Sequence, residues 1–407
     1  MTGVVSLTII LAVAVAAPIA ARLIGRVAAI PLVVFEIVLG ILVGPSVLDW
    51  VHAGEVITAL SDFGLVMLFF MAGNEIDFAA IAGRPLNRAA LGWLLSLAAG
   101  VGIGLAFAGG SAGGVFIGIA LTSTALGTLM PMIRDSGDLG SPFGRAVTAV
   151  GAAGEFGPLL AISIFLSGRS PVAAAAIFLV FVAVAAVAIW LALRRPQQRL
   201  AALVAASLHT SGQFAIRLVL LVVVALVALS LALGLDMLLG AFAAGILSRA
   251  LLRGATEADA VTVERKLEAV SFGFLVPVFF VVTGVTFDLD ALLSDRGALL
   301  LLPLFLVLLL VVRGLPGILA APSGAGAADR VSLGLLAATG LPIIVAVTEI
   351  ALDDGAMETG TATALVGAGM LSVLIFPLVA FALRRHPAEM GADSTPASPT
   401  DSSAGGR

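Results

Sequence analysis

Long apolar runs, separated by short segments rich in charge, glycine or proline, occupy most of the chain. Each run has about the length of an α-helix that crosses a hydrocarbon core about 30 Å thick. The runs cover residues 4–22, 28–45, 56–73, 87–108, 112–133, 144–167, 171–193, 214–233, 235–251, 267–286, 297–320, 329–351 and 360–383. The pattern predicts an all-α polytopic membrane protein with thirteen transmembrane helices.

Basic residues alternate between the connecting segments, and this alternation predicts the orientation. Of the 21 Lys and Arg residues, only Arg169 and Arg296 fall in segments on the predicted outer side, and Arg313 falls in no segment. The predicted inner side holds Arg22, Arg26, Arg84, Arg88, Arg134, Arg145, Arg194, Arg195, Arg199, Arg217, Arg249, Arg253, Arg265, Lys266, Arg330, Arg384, Arg385 and Arg407. Cytoplasmic loops carry the excess of Lys and Arg. We therefore expect a plasma-membrane protein with its N-terminus outside and its C-terminus in the cytoplasm.

Composition narrows the classes of function. The 407 residues are 60% hydrophobic and 11% charged, whereas a soluble chain carries about 25% charged residues. There is no cysteine, and the three histidines, His52, His209 and His386, lie far apart. The residues form no nucleophile–base pair, metal cluster or nucleotide-binding motif. We expect no enzyme activity, no cofactor and no nucleic-acid partner, and membrane lipid as the surroundings.

Three stretches recur in order, at offsets near 200 residues. They are EIVLGILVGPSVL at 36 and DMLLGAFAAGILS at 236, FGLVMLFFMAGNEIDFAAI at 63 and FGFLVPVFFVVTGVTFDLDAL at 272, and GIALTST at 118 and GLLAATG at 334. Matching spans lie seven apart, an odd number, so the two copies have opposite orientations. Inverted repeats of this kind are typical of transporters with alternating access.

The repeat predicts the organisation of the chain. The first inverted repeat, of six helices, covers 1–168, and a linker helix with a cytoplasmic loop covers 169–213. The second repeat covers 214–386. The remaining residues, 387–407, are polar and rich in Ser, Pro and Gly, and we expect this tail to be disordered.

The fifth and twelfth predicted spans are both interrupted by polar or helix-breaking residues. Thr122, Ser123 and Thr124 interrupt the fifth span. Thr339, Gly340 and Pro342 interrupt the twelfth at the matching place. Broken helices at corresponding positions in two halves indicate a transport site. The alternative is local: hydroxyls bonded to their own helix, and a proline kink.

Two charges of opposite sign fall near the middle of the membrane. Glu155 lies ten residues after Arg145 and fourteen before Arg169, and Arg313 lies between Arg296 and Asp329. Charges at this depth pair with each other or line a cavity. Glu155 is predicted to bind a proton or cation, with Arg313 as its charge partner. The alternative is a static strut. Shallower acids, including Glu36 and Asp236, are expected to orient the scaffold or cap backbone.

The stretches EIVLGILVGPSVL, FGLVMLFFMAGNEID, ALTSTALGTLMP and LGAFAAGIL resemble the monovalent cation:proton antiporter family, Kef-type branch. The resemblance covers about residues 5–385. It implies a homodimer with a scaffold and a moving core, in which two unwound helices cross at 122–124 and 339–342. It also implies that Glu155 is the ion carboxylate and Arg313 the family's basic residue. The family shows Asp-Asp, Asn-Asp or Gln-Asp where this chain has Gly154-Glu155, and often carries a C-terminal nucleotide-binding domain.

The predicted function is Na⁺ or K⁺ exchange against H⁺ by elevator-type alternating access. It is expected to be electroneutral, because Glu155 binds either H⁺ or the cation. Two alternatives stay open: a proton-coupled exporter of an organic ion or ionophore on the same fold, and a gated cation channel. The residues leave the choice among Na⁺, K⁺ and organic ions undecided.

Overall fold

The fold is entirely helical over the residues that the structure, a computed structural model, describes: 2–24, 31–165, 169–194, 213–252 and 256–385. The α-helices are α1 (Thr2–Ile24), α2 (Leu32–Val43), α3 (Glu55–Glu75), α4 (Phe78–Ile81), α5 (Arg84–Phe107), α6 (Ala112–Ala120), α7 (Leu126–Asp135), α8 (Pro142–Phe165), α9 (Pro171–Arg194), α10 (Phe214–Ala232), α11 (Met237–Leu252), α12 (Glu257–Val270), α13 (Val276–Val285), α14 (Leu289–Ser294), α15 (Arg296–Leu308), α16 (Leu315–Gly317), α17 (Ala327–Ala337), α18 (Pro342–Asp353) and α19 (Thr359–Arg385). The predicted tail 387–407 and much of the predicted loop before 213 lie outside the described residues.

Ten helical segments within the described residues are long and apolar enough to cross a membrane. Two shorter apolar helices, α2 and α11, accompany them. The protein is therefore a multi-pass membrane protein. The count of thirteen spans and the inverted repeat remain predictions. Two helices, α6 and α7, occupy the fifth predicted span, and each is too short to cross a bilayer alone.

Helices α2, α3, α11 and α13 pack together at close range through glycines. A side chain at Gly40 of α2 would collide with the backbone of Val281 and approach Gly284 of α13. Gly73 of α3 lies in the same way against Phe242 of α11. Small residues let helix backbones approach closely in lipid, where packing drives association.

Helix α8 lies deep inside the protein and makes contacts with α5, α7, α9 and α17. Most of its residues are buried, including Gly151, Gly154, Glu155 and Gly157. Gly157 lies against the indole ring of Trp93 on α5. The helix thus brings Glu155 into the interior of the protein, away from lipid.

Two boundaries differ from the prediction. The tenth predicted span began at 267, but helix starts at Glu257 and continues through a π-helical segment, Ser271–Leu275, into α13. The apolar pattern did not predict this extension, because α12 is rich in charged residues. Pro342 was predicted within the unwound stretch but is the first residue of α18. This position tolerates proline because its N–H would have no partner within the helix.

Candidate functional site

The interruptions between α6 and α7 and between α17 and α18 meet in the interior. The amide of Ala125 donates to the carbonyl oxygen of Thr339 at 2.7 Å. The hydroxyl of Thr124 donates to the carbonyl oxygen of Ala337, also at 2.7 Å. A Cβ atom at Gly340 would lie 2.6 Å from the Ser123 hydroxyl oxygen. Glycine therefore allows the two unwound segments to approach this closely.

The crossing is also fixed to α8 by a carbonyl that a proline leaves free. The amide of Thr124 donates to the carbonyl oxygen of Gly154 at 2.9 Å. In a regular helix that oxygen accepts from the residue four positions on, but Pro158 has no N–H. Pro158 therefore leaves the carbonyl oxygen of Gly154 free to accept from Thr124, and this bond holds the unwound segment next to the residue that precedes Glu155.

The four hydroxyls at the crossing are buried and differ in what they bind. Thr122, Ser123 and Thr339 donate to carbonyl oxygens of their own helices, at 2.7, 2.9 and 3.1 Å. Thr124 instead bonds across the crossing. A hydroxyl that donates its hydrogen retains lone pairs that can accept or coordinate. The local bonds of Thr122 and Ser123 are therefore compatible with both readings, helix packing and a cation ligand.

Ser372 of α19 supports the second interruption, and the sequence analysis missed it. Its hydroxyl oxygen lies 3.1 Å from both the amide nitrogen and the carbonyl oxygen of Gly340, and 2.7 Å from the carbonyl oxygen of Gly369. The signal in the sequence was one polar residue in the apolar run GAGMLSVLIF. Its side chain satisfies backbone groups that Gly340 cannot satisfy within a helix.

Glu155 has a carboxylate with one free oxygen at the start of α7. The residue is 3% exposed. Its Oε1 accepts a long hydrogen bond, 3.4 Å, from the amide of Gly127, and its Oε2 has no hydrogen-bond partner among the described residues. No side chain of α7 itself caps the N-terminus of that helix. The N-terminal end of a helix favours negative charge, so α7 offsets part of the cost of burying the carboxylate.

Arg313 is fully buried within a π-helical segment, Leu309–Gly314. Its Nε donates to the Thr124 hydroxyl at 2.8 Å, and its Nη2 donates to the carbonyl oxygen of Val150 at 2.7 Å. Its Nη1 has no hydrogen-bond partner. The guanidinium thus joins the crossing to α8 through uncharged oxygens.

The predicted ion pair between Glu155 and Arg313 is not formed. The ion pairs among the described residues involve other side chains. The reason lies in the faces of α8: a Cβ at Gly154 would lie 2.6 Å from the Arg313 Nη2, whereas a Cβ at Gly151 would meet Leu126 of α7. Glu155 shares the face of Gly151, and neighbouring helix positions point about 100° apart. Arg313 therefore contacts one face of α8, whereas the side chain of Glu155 projects from another face of the same helix.

A cavity of about 340 Å³ opens on the predicted cytoplasmic side, between α3, α7, α8, α11 and α12; we call it the vestibule. It reaches Met130, one turn along α7 from Gly127, and Thr148, two turns along α8 from Glu155. Its rim carries both signs of charge. The lining includes Asn74, Glu75, Asp77, Arg134, Arg145, Arg249, Glu264 and Glu268. The vestibule thus leads from the surface towards Glu155.

Other polar residues, in the vestibule and on the opposite side of the protein, have local roles or an unused polar atom. Asp77 accepts from the amides of Ala79 and Ala80 and lies 3.3 Å from Arg249, consistent with the expected capping role. Asn74 was not singled out from the sequence. It is 3% exposed and lines the vestibule, and its Oδ1 has no partner. On the opposite side, Asp236 caps α11, since its Oδ1 accepts from the amide of Leu238 at 2.8 Å.

Residues 9–384 match the sequence model of a family described as "Sodium/hydrogen exchanger, transmembrane". The chain belongs to the sodium/hydrogen exchanger family. The match extends from α1 to the end of α19 and so includes both interruptions, Glu155 and Arg313. Proteins of this family are transporters, in keeping with the expectation of a non-enzymatic protein. The resemblance to antiporters is thereby confirmed at the level of the family, whereas the Kef-type branch stays a prediction.

Curated relatives of this chain include bacterial proteins that are named as antiporters. The putative Na(+)/H(+) antiporter YjbQ of Bacillus subtilis (strain 168) is 29% identical over 335 residues, which are 77% of this chain and 52% of that protein. The Na(+)/H(+)-K(+) antiporter GerN of Bacillus cereus is 27% identical over 367 residues, which are 85% of this chain and 88% of that protein. The chain thus spans about half the length of the first relative and most of the second.

The fold is shared with a solved structure. The sodium proton antiporter MjNhaP1 from Methanocaldococcus jannaschii, determined at pH 8, superposes with a TM-score of 0.66. The match covers 94% of this protein and 99% of that chain, at 16% sequence identity. At this level of identity the similarity establishes the fold, and the assignment of individual residues rests on the geometry described above.

Proposed function

We propose that this exchanger moves a monovalent cation in one direction and protons in the other, and that Glu155 binds both in turn. The observation that carries the proposal is the free Oε2 of Glu155, a buried carboxylate oxygen beside the crossing of two broken helices. A carboxylate buried without a cation is costly, and either a proton or a metal cation compensates its charge. Because one carboxylate cannot hold both, binding of one ion releases the other.

Candidate cation ligands lie at the crossing, which Thr124 joins to Gly154, the residue before Glu155. We assign Thr122 and Ser123 as candidate ligands, since each donates only to a carbonyl of its own helix and retains acceptor capacity. Thr124 is more constrained, because its hydroxyl already donates to Ala337 and accepts from Arg313. We assign to Arg313 the role of holding the crossing against α8. No cluster of three or more His, Asp or Glu side chains able to hold a metal occurs in the described part of the chain.

Sodium and potassium are the candidate substrates. The relatives include proteins named as Na(+)/H(+) antiporters and one named as a Na(+)/H(+)-K(+) antiporter. An oxygen-only site of one carboxylate and two hydroxyls suits alkali cations but does not by its chemistry choose between them. We therefore propose Na⁺ and K⁺ as the two substrates to be compared.

We further propose alternating access by an elevator-type movement. The vestibule separates α7 and α8, which carry the site, from α3, α11 and α12. A movement of the first group along the second would close this route and open another on the outer side. This proposal includes the arrangement expected from the sequence: a homodimer of the Kef-type branch in the plasma membrane, N-terminus outside.

Proteoliposomes with an internal acid gradient test the proposal. External Na⁺, K⁺ or Li⁺ is added, and proton release is followed by dequenching of a pH-sensitive dye, with choline as the inert cation. We expect dequenching by Na⁺, K⁺ or both, and none by choline. Proton movement that ignores all three alkali cations would favour the organic-ion exporter. Current that is not coupled to the pH gradient would favour the channel.

A further inference from the structure

A second cavity, of about 170 Å³, lies at the predicted cytoplasmic ends of three membrane spans; we call it the basic pocket. Its walls are the first turns of α5 and α8 and the segment 320–323, which follows the span Arg296–Ala320. All three elements end at the same surface, so the pocket lies near the level of lipid headgroups.

The lining of the basic pocket is strongly cationic. It contains Arg84, Arg88 and Arg145 and no acidic residue. None of the three arginines takes part in the ion pairs found among the described residues. On the same predicted side, Arg249 pairs with Asp77, and Arg384 pairs with two aspartates. Three arginines therefore surround this cavity, and none of the described residues that line it supplies a carboxylate to compensate their charge.

Two of the arginines, Arg88 and Arg145, are each held by a backbone carbonyl but keep other N–H donors. The Nη1 of Arg88 donates to the carbonyl oxygen of Ala321 at 3.2 Å, and the Nη1 of Arg145 donates to that of Gly140 at 2.8 Å. A guanidinium has five N–H donors, so each retains others. Helix α5, of 24 residues, also begins here with no side-chain cap, and its N-terminus adds partial positive charge.

We propose that the basic pocket binds a phosphate group. Guanidinium forks bind phosphate oxygens through paired charge-assisted hydrogen bonds, and uncapped helix N-termini favour the same anions. The hydroxyl of Ser323 at the edge of the pocket supplies a further donor. The phosphate comes either from an anionic phospholipid headgroup, for which basic pockets between cytoplasmic helix ends are suited, or from a soluble phosphate compound.

The pocket has a physical connection to the vestibule through Arg145, which lines both cavities. A phosphate beside Arg145 would reduce the positive potential at the mouth of the vestibule. Cations are then concentrated there more strongly. We expect an occupied pocket to lower the apparent KM for the cation at low ionic strength, and this effect to fade as salt screens it.

Binding is tested on the purified chain in a neutral detergent, by thermal unfolding in the presence of graded ligand. The probes are short-chain phosphatidylglycerol against short-chain phosphatidylcholine, and inorganic phosphate against chloride at equal ionic strength. The variants are R84Q/R88Q and, as a matched control with the same loss of charge on the same predicted side, R265Q/R330Q. R84Q alone is added because Arg84 is exposed, so we expect its replacement to leave the fold undisturbed.

We expect saturable stabilisation of the wild type and of R265Q/R330Q by phosphatidylglycerol, by phosphate or by both. In R84Q/R88Q the affinity falls roughly tenfold or more, as expected for lost charge-assisted bonds. A response to phosphatidylglycerol alone identifies the lipid headgroup, and a response to inorganic phosphate identifies a soluble anion. Equal affinities in both double variants, or no saturable stabilisation by either probe, would overturn the proposal. The readout requires no transport, so it is independent of the role of Glu155.

Discussion

Two buried charges, Glu155 and Arg313, lie on either side of one helix and differ in how the protein satisfies them. The guanidinium of Arg313 makes two hydrogen bonds of normal length, to Thr124 and Val150. The carboxylate of Glu155 accepts one long bond from Gly127, and its other oxygen has no partner. The sequence alone placed both at the same depth with opposite signs, which made an ion pair the natural expectation.

The difference separates a structural charge from an exchangeable one. Arginine keeps its proton in proteins, and its bonds to neutral oxygens of the crossing and of α8 join two parts of the site. Glutamate can change its protonation state, and the incomplete satisfaction of Glu155 leaves room for a second ion. The following expectations test this division, beginning with the largest effect.

Replacement of Glu155 by glutamine is expected to reduce cation-driven proton release to the level of empty liposomes. The amide has nearly the same shape but neither releases a proton nor compensates a cation. The matched control is Glu36→Gln, because Glu36 is also a buried acid, on α2. We expect the control to retain transport and both variants to remain folded. Wild-type rates in Glu155→Gln would remove Glu155 from the site.

Replacement of Arg313 by lysine keeps the charge but loses the fork that binds two oxygens at once. Loss of one charge-assisted hydrogen bond is expected to destabilise the protein by roughly 1.5–3 kcal/mol. The change is measured as a lower melting temperature, with slower transport. Arg330→Lys is the control, since that side chain is exposed and, among the described residues, bonds to Ala325 alone. An unchanged melting temperature for Arg313→Lys would argue against its role in holding the crossing.

Replacement of Gly154 by alanine tests the face of α8 that Arg313 occupies. The new Cβ would lie 2.6 Å from the Arg313 Nη2 and would collide with Thr124, so both must shift. Overpacking of this kind costs about 1–3 kcal/mol. Gly102→Ala on α5 is the control, because nothing lies within 4 Å of its Cβ position. Equal melting temperatures for the two variants would contradict the contact.

The double replacement of Thr122 and Ser123 by alanine is expected to raise the cation KM several-fold, with little change in expression. The hydroxyls supply ligands in the proposal but only bonds to their own helix in the alternative. Thr283→Ala is the control, since that hydroxyl also bonds to its own helix, at 2.9 Å, away from the crossing. If KM stays constant for every cation, the hydroxyls serve helix packing alone.

A membrane potential is expected to have no effect on exchange. Glu155 takes up one proton or one cation, and Arg313 stays charged, so no net charge crosses per cycle. A potential acts with about 2.3 kcal/mol per elementary charge per 100 mV, which an electrogenic cycle would register clearly. The test uses Na⁺ as substrate in vesicles with a potassium–valinomycin potential. Acceleration or slowing that follows the sign of the potential would require a second titrating group, and Glu36 would be examined first.

Much of the architecture follows from local patterns in the sequence. Apolar runs predicted membrane helices, and TST at 122–124 and TGLP at 339–342 predicted the interruptions. Hydrophobic length and helix-breaking residues act on the chain wherever it lies, so these features need no knowledge of the neighbours. The same logic missed the start of α12 at Glu257, because this helix is rich in charge and its buried apolar side chains, Val263 and Leu267, form no apolar run.

The sequence by itself determined that Glu155 and Arg313 are buried in a membrane protein, since long apolar segments flank both residues and place them far from water. Only the tertiary structure decided what each charge contacts. The orientation of α8 turns Glu155 to the start of α7 and Gly154 to Arg313, and Pro158 frees the carbonyl that fixes Thr124. The tertiary structure also brings Arg84, Arg88 and Arg145, which come from separate segments, around one cavity. A face of a helix acquires its partner only when other helices pack against it, and that packing is a property of the whole fold.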